Sequence, residues 1–159
     1  MKHVVGISDM KVTAGPGDSI ITHSLGSCIG LALYDPEIRA GGLIHCMLPL
    51  SKIAPALAGG RPLMFIDTGV PLLIDALLDM GAEKRRLVAT VAGAAQMLDR
   101  NNHFNIGERN QVILRKILWK NQIPIAAEDT GGTMARTMNL EIATGITTLR
   151  TGGRVYEMC

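Results

Sequence analysis

Apolar residues along this chain gather in short runs broken by Gly, Pro, Asp and Asn, with two longer stretches at helical spacing. The short runs are rich in β-branched residues and read as strands. They are His3 to Ser8, Ser19 to Ser24, Cys28 to Tyr34, Gly41 to Leu48, Leu87 to Ala92, Ile123 to Asp129, Thr137 to Ala143 and Thr147 to Arg150. Asp67 to Met80 reads as a helix, capped by Asp67 or Thr68 and ended by Gly81. Ile106 to Asn121 is the clearer helix, with Ile106, Ile113, Leu114, Ile117 and Leu118 on one face. Asn105 followed by Glu108 predicts a capping box at its start. Leu50 to Pro62 lacks periodicity and is a candidate lid or recognition loop. Hairpins and helices are mixed, not strictly alternating. The pattern predicts one domain over residues 1–159, an α/β sandwich with mixed, largely antiparallel sheets and two main helices, in preference to a doubly wound parallel fold.

Composition supports a packed core: 47% of the 159 residues are hydrophobic and 19% charged. With 3% aromatics, the chain is poorly supplied for stacking on bases, and no nucleic-acid partner is expected. The net charge is +2. Its longest basic run, Lys84-Arg85-Arg86, is too short for a phosphate-binding stripe and reads as a solvated face. The most apolar candidate span, Val70 to Leu78, is interrupted by Asp75 and falls short of the roughly 20 residues a bilayer needs, so no membrane insertion is expected. Three cysteines (Cys28, Cys46 and Cys159) and no signal-like start point to a reducing cytoplasm.

The candidate chemistry lies in Thr22, Gly26-Ser27-Cys28 and His45. A thiol nucleophile needs a base, which histidine supplies near neutral pH. It also needs N–H donors for an oxyanion, which a turn containing Gly26 and Ser27 can leave free. Asp35 to Ile38 as a four-residue hairpin loop would set Tyr34 opposite Arg39 and Cys28 opposite His45, on one face with Cβ atoms about 5 Å apart. A loop one residue longer would separate them onto opposite faces. Thr22 could orient the imidazole, the third role in triad logic. Spacing alone leaves Cys28 open between a nucleophile and a small buried hydrophobe, and His45 open between a base and a core histidine. Cys46 alternates to the other face, which reads as buried and inert and argues against zinc. His3, His23 and His103 offer no partner in the sequence. Asp67, Asp75, Asp79 and Glu83 read as a solvated helix face. Glu128-Asp129 before Gly131-Gly132 reads as a tight turn, not a phosphate loop.

Thr22 to Cys28 (T-H-S-L-G-S-C), Ile44 to Pro49 (I-H-C-M-L-P), Asn105 to Asn110 (N-I-G-E-R-N) and Glu128 to Gly132 (E-D-T-G-G) resemble, in order and spacing, the CheD family of chemoreceptor glutamine deamidases. The resemblance runs from near residue 4 to about residue 151. It implies a three-layer α/β sandwich and a catalytic Cys, His and Thr at Cys28, His45 and Thr22, with no metal or organic cofactor. It implies chemoreceptor cytoplasmic helices as substrate and a CheC-like phosphatase as partner. The chain departs from the family pattern in having Thr90 where a lysine is common, Gly93-Ala94-Ala95 where Gly-Gly-Ala is common and Ala135-Arg136 where Gly-Arg is usual. A non-enzymatic module that binds such a phosphatase, or a hydrolase of small amides, are the alternative readings.

Overall fold

The computed structural model describes residues 1–96 and 105–158. Two five-stranded sheets and a helical layer stack in the order sheet, sheet, helices. The first sheet has the order β1 (Lys2–Val5), β3 (Ser19–Leu25), β8 (Arg136–Glu141), β9 (Thr147–Thr151), β10 (Arg154–Met158). The second has the order β2 (Asp9–Thr13), β5 (Ala40–Cys46), β4 (Ile29–Asp35), β6 (Val88–Gly93), β7 (Ile125–Thr130). β1 with β3 and β6 with β7 pair in parallel, and the other named pairs are antiparallel. This is the expected mixed, largely antiparallel sandwich. Its main helices are α2 (Ile66–Asp79) and α3 (Ile106–Lys120), beside a single turn, α1 (Pro55–Ala58).

β4 and β5 are buried along their whole lengths, because the second sheet is covered on both faces. Ile29, Leu31, Leu33, Ile44 and Cys46 pack against Val70, Leu73 and Leu77 of α2 and Leu114 and Leu118 of α3. The alternate residues Ala32, Tyr34 and Leu43 meet Ile20, Leu25, Met138, Leu140 and Leu149 of the first sheet. The period-2 alternation of side chains therefore sorts β4 and β5 between two cores.

β2 and β10 lie beyond the eight strands expected. Each is the edge of its sheet, β2 only half-buried and β10 almost wholly exposed, so neither carries the apolar run that announces a strand. The helix starts also differ. Phe65 and Asn105 occupy the N-cap positions without a side-chain cap hydrogen bond. The Asp67 carboxylate instead accepts from the Ser51 N–H and hydroxyl at 2.9 and 2.8 Å, tying down the Leu50 to Pro62 segment, which contains α1 and a short helical turn at Ser51–Ile53. Lys84-Arg85-Arg86 is not a uniformly solvated face: Arg86 donates to the buried Asp35 carboxylate at 2.9 and 3.0 Å. His3 finds Asp18 at 3.2 Å. His103 and Cys159 lie outside the described residues. No helix among the described residues is long and apolar enough to cross a membrane.

Candidate active site

Gly26-Ser27-Cys28 is where the chain leaves one sheet and joins the other, linking the end of β3 to the start of β4. A bulge between Thr22 and Leu25 prepares the crossing. The extra residue, with Ser24 at φ +60°, breaks the alternation so that both Thr22 and Leu25 are buried. The turn then delivers Cys28 to the inter-sheet core, against which it packs partly buried.

His45 does not face Cys28 directly, as the expected hairpin had it. Asp35 pairs with Ala40 and Tyr34 with Gly41, so the loop is Pro36 to Arg39, and Gly30 stands opposite His45. The turn begins one residue later than expected, which moves the register by two. A shift of two preserves the face. The His45 and Thr22 side chains meet between the sheets, and Cys28 packs there as a diagonal neighbour, not a directly opposed one. Gly30 makes this possible, since a Cβ there would lie 2.8 Å from Leu25 and 3.1 Å from the Met138 sulfur.

Thr22 and His45 are both fully buried. The Thr22 hydroxyl donates to the Val5 carbonyl at 2.8 Å and stands 2.8 Å from His45 Nδ1. Having spent its one proton on Val5, the hydroxyl can only accept from the imidazole. His45 is thereby held as the Nδ1–H tautomer, and Nε2 carries the lone pair. Nε2 is buried and has no hydrogen-bond partner among the described residues, the Cys28 thiol included. A base with its back nitrogen fixed and its front nitrogen free is the arrangement that proton abstraction requires.

Burial lowers the His45 pKa to about 4. Burial also raises that of the Cys28 thiol, partly offset by a hydrogen bond from its own backbone N–H. Both groups are therefore neutral near pH 7, with no resting thiolate–imidazolium pair. Cys46 sits on the helix-facing side, fully buried, its thiol pushed far up by burial and then by Cys28 and Asp67. That is the inert state expected of it, and the opposite facing of His45 and Cys46 leaves no shared zinc position.

Two consequences can be measured. Thr22→Val keeps the shape but frees the imidazole to adopt either tautomer and leaves the Val5 carbonyl unpaired. We expect turnover to fall about 10- to 100-fold at unchanged substrate affinity, with a stability loss of about 1–3 kcal/mol in urea titration. The second concerns acid. An ordinary histidine titrates at 6.5 and folded His45 at about 4, so between those values the unfolded chain binds the extra proton. The contribution is fully present above pH 6.5 and is lost as pH falls toward 4, up to roughly 3 kcal/mol. Melting temperature should drop through that window, and His45→Gln should show a flatter slope there.

The Gly26–Cys28 turn is framed by residues whose role the sequence did not disclose. Ala94 N–H donates to the Cys28 carbonyl and Ala95 N–H to the Gly26 carbonyl, each at 2.8 Å. Fully buried Asn110 of α3 donates through Nδ2 to the Ser27 carbonyl at 2.9 Å and the Met47 carbonyl at 3.0 Å. Gly107 lets α3 approach Ala94 and Ala95, where a Cβ would meet their carbonyl oxygens at 2.7 and 2.5 Å. The Asn105 to Asn110 segment therefore docks the helix against the turn instead of forming a capping box. A polar Asn110 on the buried stripe of Gly107, Leu114 and Leu118 was the available signal. Arg136, next to the Ala135 that departs from the family pattern, is buried and paired with Asp129 at 2.9 Å while donating to the Gly93 and Gly131 carbonyls.

The family model of CheD chemotactic sensory transduction matches residues 47–151. A probable chemoreceptor glutamine deamidase CheD of Solibacter usitatus is 46% identical over 155 residues, covering 98% of this chain and 92% of that protein. One named CheD 1 from Syntrophus aciditrophicus is 45% identical over 150 residues, covering 94% of each. One from Desulforamulus reducens is 46% identical over 152 residues, covering 94% of this chain and 90% of its own.

Proposed function

The chain belongs to the CheD family, and from that premise we propose that it is a cytoplasmic chemoreceptor glutamine deamidase working through Cys28, His45 and Thr22. The observation that carries this reading is the buried Thr22–His45 hydrogen bond, which leaves Nε2 unpartnered in the layer that Cys28 also reaches. It is the residue set that a thiol hydrolase needs.

The chemistry follows from the two neutral groups. A receptor glutamine brings its carboxamide carbon to the Cys28 sulfur. Because the thiol is not ionised beforehand, its proton passes to His45 Nε2 as the carbon–sulfur bond forms. The carboxamide oxygen becomes an oxyanion facing the N–H groups of the Ser27–Cys28 turn. The imidazolium returns the proton to the departing nitrogen, ammonia leaves, and a thioester remains. Water, deprotonated by His45, adds to the thioester carbonyl, and the thiol departs with the proton. The product is glutamate. Each turnover turns a neutral side chain into an anion on a receptor helix, where like charges three or four residues apart repel.

A CheC-like phosphatase partner belongs to the same reading. The deciding experiment incubates a receptor cytoplasmic fragment with the protein and maps glutamines by mass spectrometry. Site-specific gain of the amide-to-acid mass difference is the expected result. Glutamines left intact across cognate receptors would overturn the reading.

A further inference from the structure

All three carbonyls of the nucleophile turn are held from outside it. Gly26 O is taken by the Ala95 N–H, Cys28 O by the Ala94 N–H, and Ser27 O by Asn110 Nδ2. In a trans peptide the C=O and the following N–H lie in one plane and point in opposite directions, and no cis bond occurs among the described residues. Fixing the Gly26 carbonyl therefore aims the Ser27 N–H, and fixing the Ser27 carbonyl aims the Cys28 N–H. Two of the holds are backbone to backbone. The third is made by a side chain.

From this geometry we propose that Asn110 is a positioning residue of the reaction: it orients the peptide plane whose Cys28 N–H receives the developing oxyanion. The proposal rests on the reading of Cys28 as nucleophile and adds to it the group that prepares its amide. The carboxamide is suited to the task. Its two N–H bonds diverge, and they span from Ser27 O to Met47 O, so the turn is registered against the chain just past β5, the strand that carries His45. One side chain thus fixes the oxyanion amide relative to the base. Asn110 comes from the helical layer, behind the second sheet, whereas the Cys28 side chain packs in front of it. The Ser27 carbonyl turned back toward Asn110 places the Cys28 N–H forward, on the side of the sulfur, in agreement with the contact between that N–H and the thiol. The carboxamide oxygen of Asn110 is buried without a donor among the described residues, so its orientation is set by the two carbonyls alone.

The test compares two reactions of the same sulfur in wild type and Asn110→Ala. Acylation by p-nitrophenyl acetate passes through an oxyanion, and alkylation by iodoacetamide does not. Both are acid-quenched and read at the Cys28 peptide by mass spectrometry. The expected result is a fall in acylation on the order of 10- to 100-fold, with alkylation and its pH profile nearly unchanged. Parallel loss of both reactions, or loss of neither, overturns the proposal. Asn110→Ser, which keeps one hydroxyl donor, carries the same comparison if Asn110→Ala melts below the assay temperature, and there the selective loss should be smaller. Because neither reagent is a receptor, an inert receptor fragment with a selective acylation defect would refute the substrate and leave Asn110 in its role.

Discussion

Cys28→Ala should reduce deamidation of receptor glutamines to background, a loss of the order of 10⁴-fold or more. The size of the effect comes from the absence of a substitute among the described residues. Cys46 is the other described cysteine, and it lies across the second sheet in the helix-facing core. The loss should be confined to chemistry. The bonds that hold the turn use the carbonyls of Gly26, Ser27 and Cys28, which alanine retains, and the side chain removed is only partly buried. Urea midpoint and binding to a receptor fragment or phosphatase should therefore stay close to wild type, separating enzyme from binding module. Cys46→Ala gives the contrast: it leaves a cavity in the core and costs stability, while activity persists. Retained turnover in Cys28→Ala, measured by mass spectrometry on the same fragment, would remove the thiol from the mechanism.

Gly93→Ala is the second large effect, and it acts on the frame. Gly93 has φ +107°, and a Cβ there would stand 2.3 Å from the Cys28 carbonyl oxygen. That contact is with backbone, so no rotamer change relieves it. The β6 end must separate from the turn, and with it go the Ala94 and Ala95 hydrogen bonds and the support of Arg136 on the Gly93 carbonyl. We expect a cost of about 3 kcal/mol or more, seen as a lowered urea midpoint. The surviving folded protein should turn over poorly, because Cys28 has moved. An unchanged midpoint would mean that the turn does not depend on this close approach. Ala94 beside it also sits in the left-handed region, at φ +52°. This is a position of departure from the family's Gly-Gly-Ala, and glycine would adopt that conformation with less strain.

Most of the architecture was legible because burial writes itself into sequence. β4 and β5 are covered on both faces and read as strands from their apolar runs, and α3 showed its stripe. β2 and β10 did not, since an edge strand with one or no covered face is held by backbone bonds that any side chain permits. For the site, residue identities at Thr22, Cys28 and His45 suggested a thiol chemistry, and the family motifs singled it out. Register was less legible. Whether Asp35 belongs to the loop or to β4 depends on its buried bond to Arg86, 51 residues away, which local turn chemistry cannot reveal. Asn110 was obscured for a related reason. Near a helix start, a polar residue reads as capping, and the sign that it faces inward, its place on the stripe of Gly107, Leu114 and Leu118, is easily passed over.

The sealing of His45 between two sheets has an effect on how the protein senses its surroundings. An imidazole with no exposed surface and one nitrogen committed to Thr22 exchanges protons only with what reaches Nε2. Its basic form persists to about pH 4, well past the acidity at which the surrounding fold begins to lose the stability that this histidine lends it. Acidification therefore reaches the reaction through the fold first. Within the folded range the imidazole stays in its basic form, so no titration of His45 should mark the pH dependence of the reaction near neutrality.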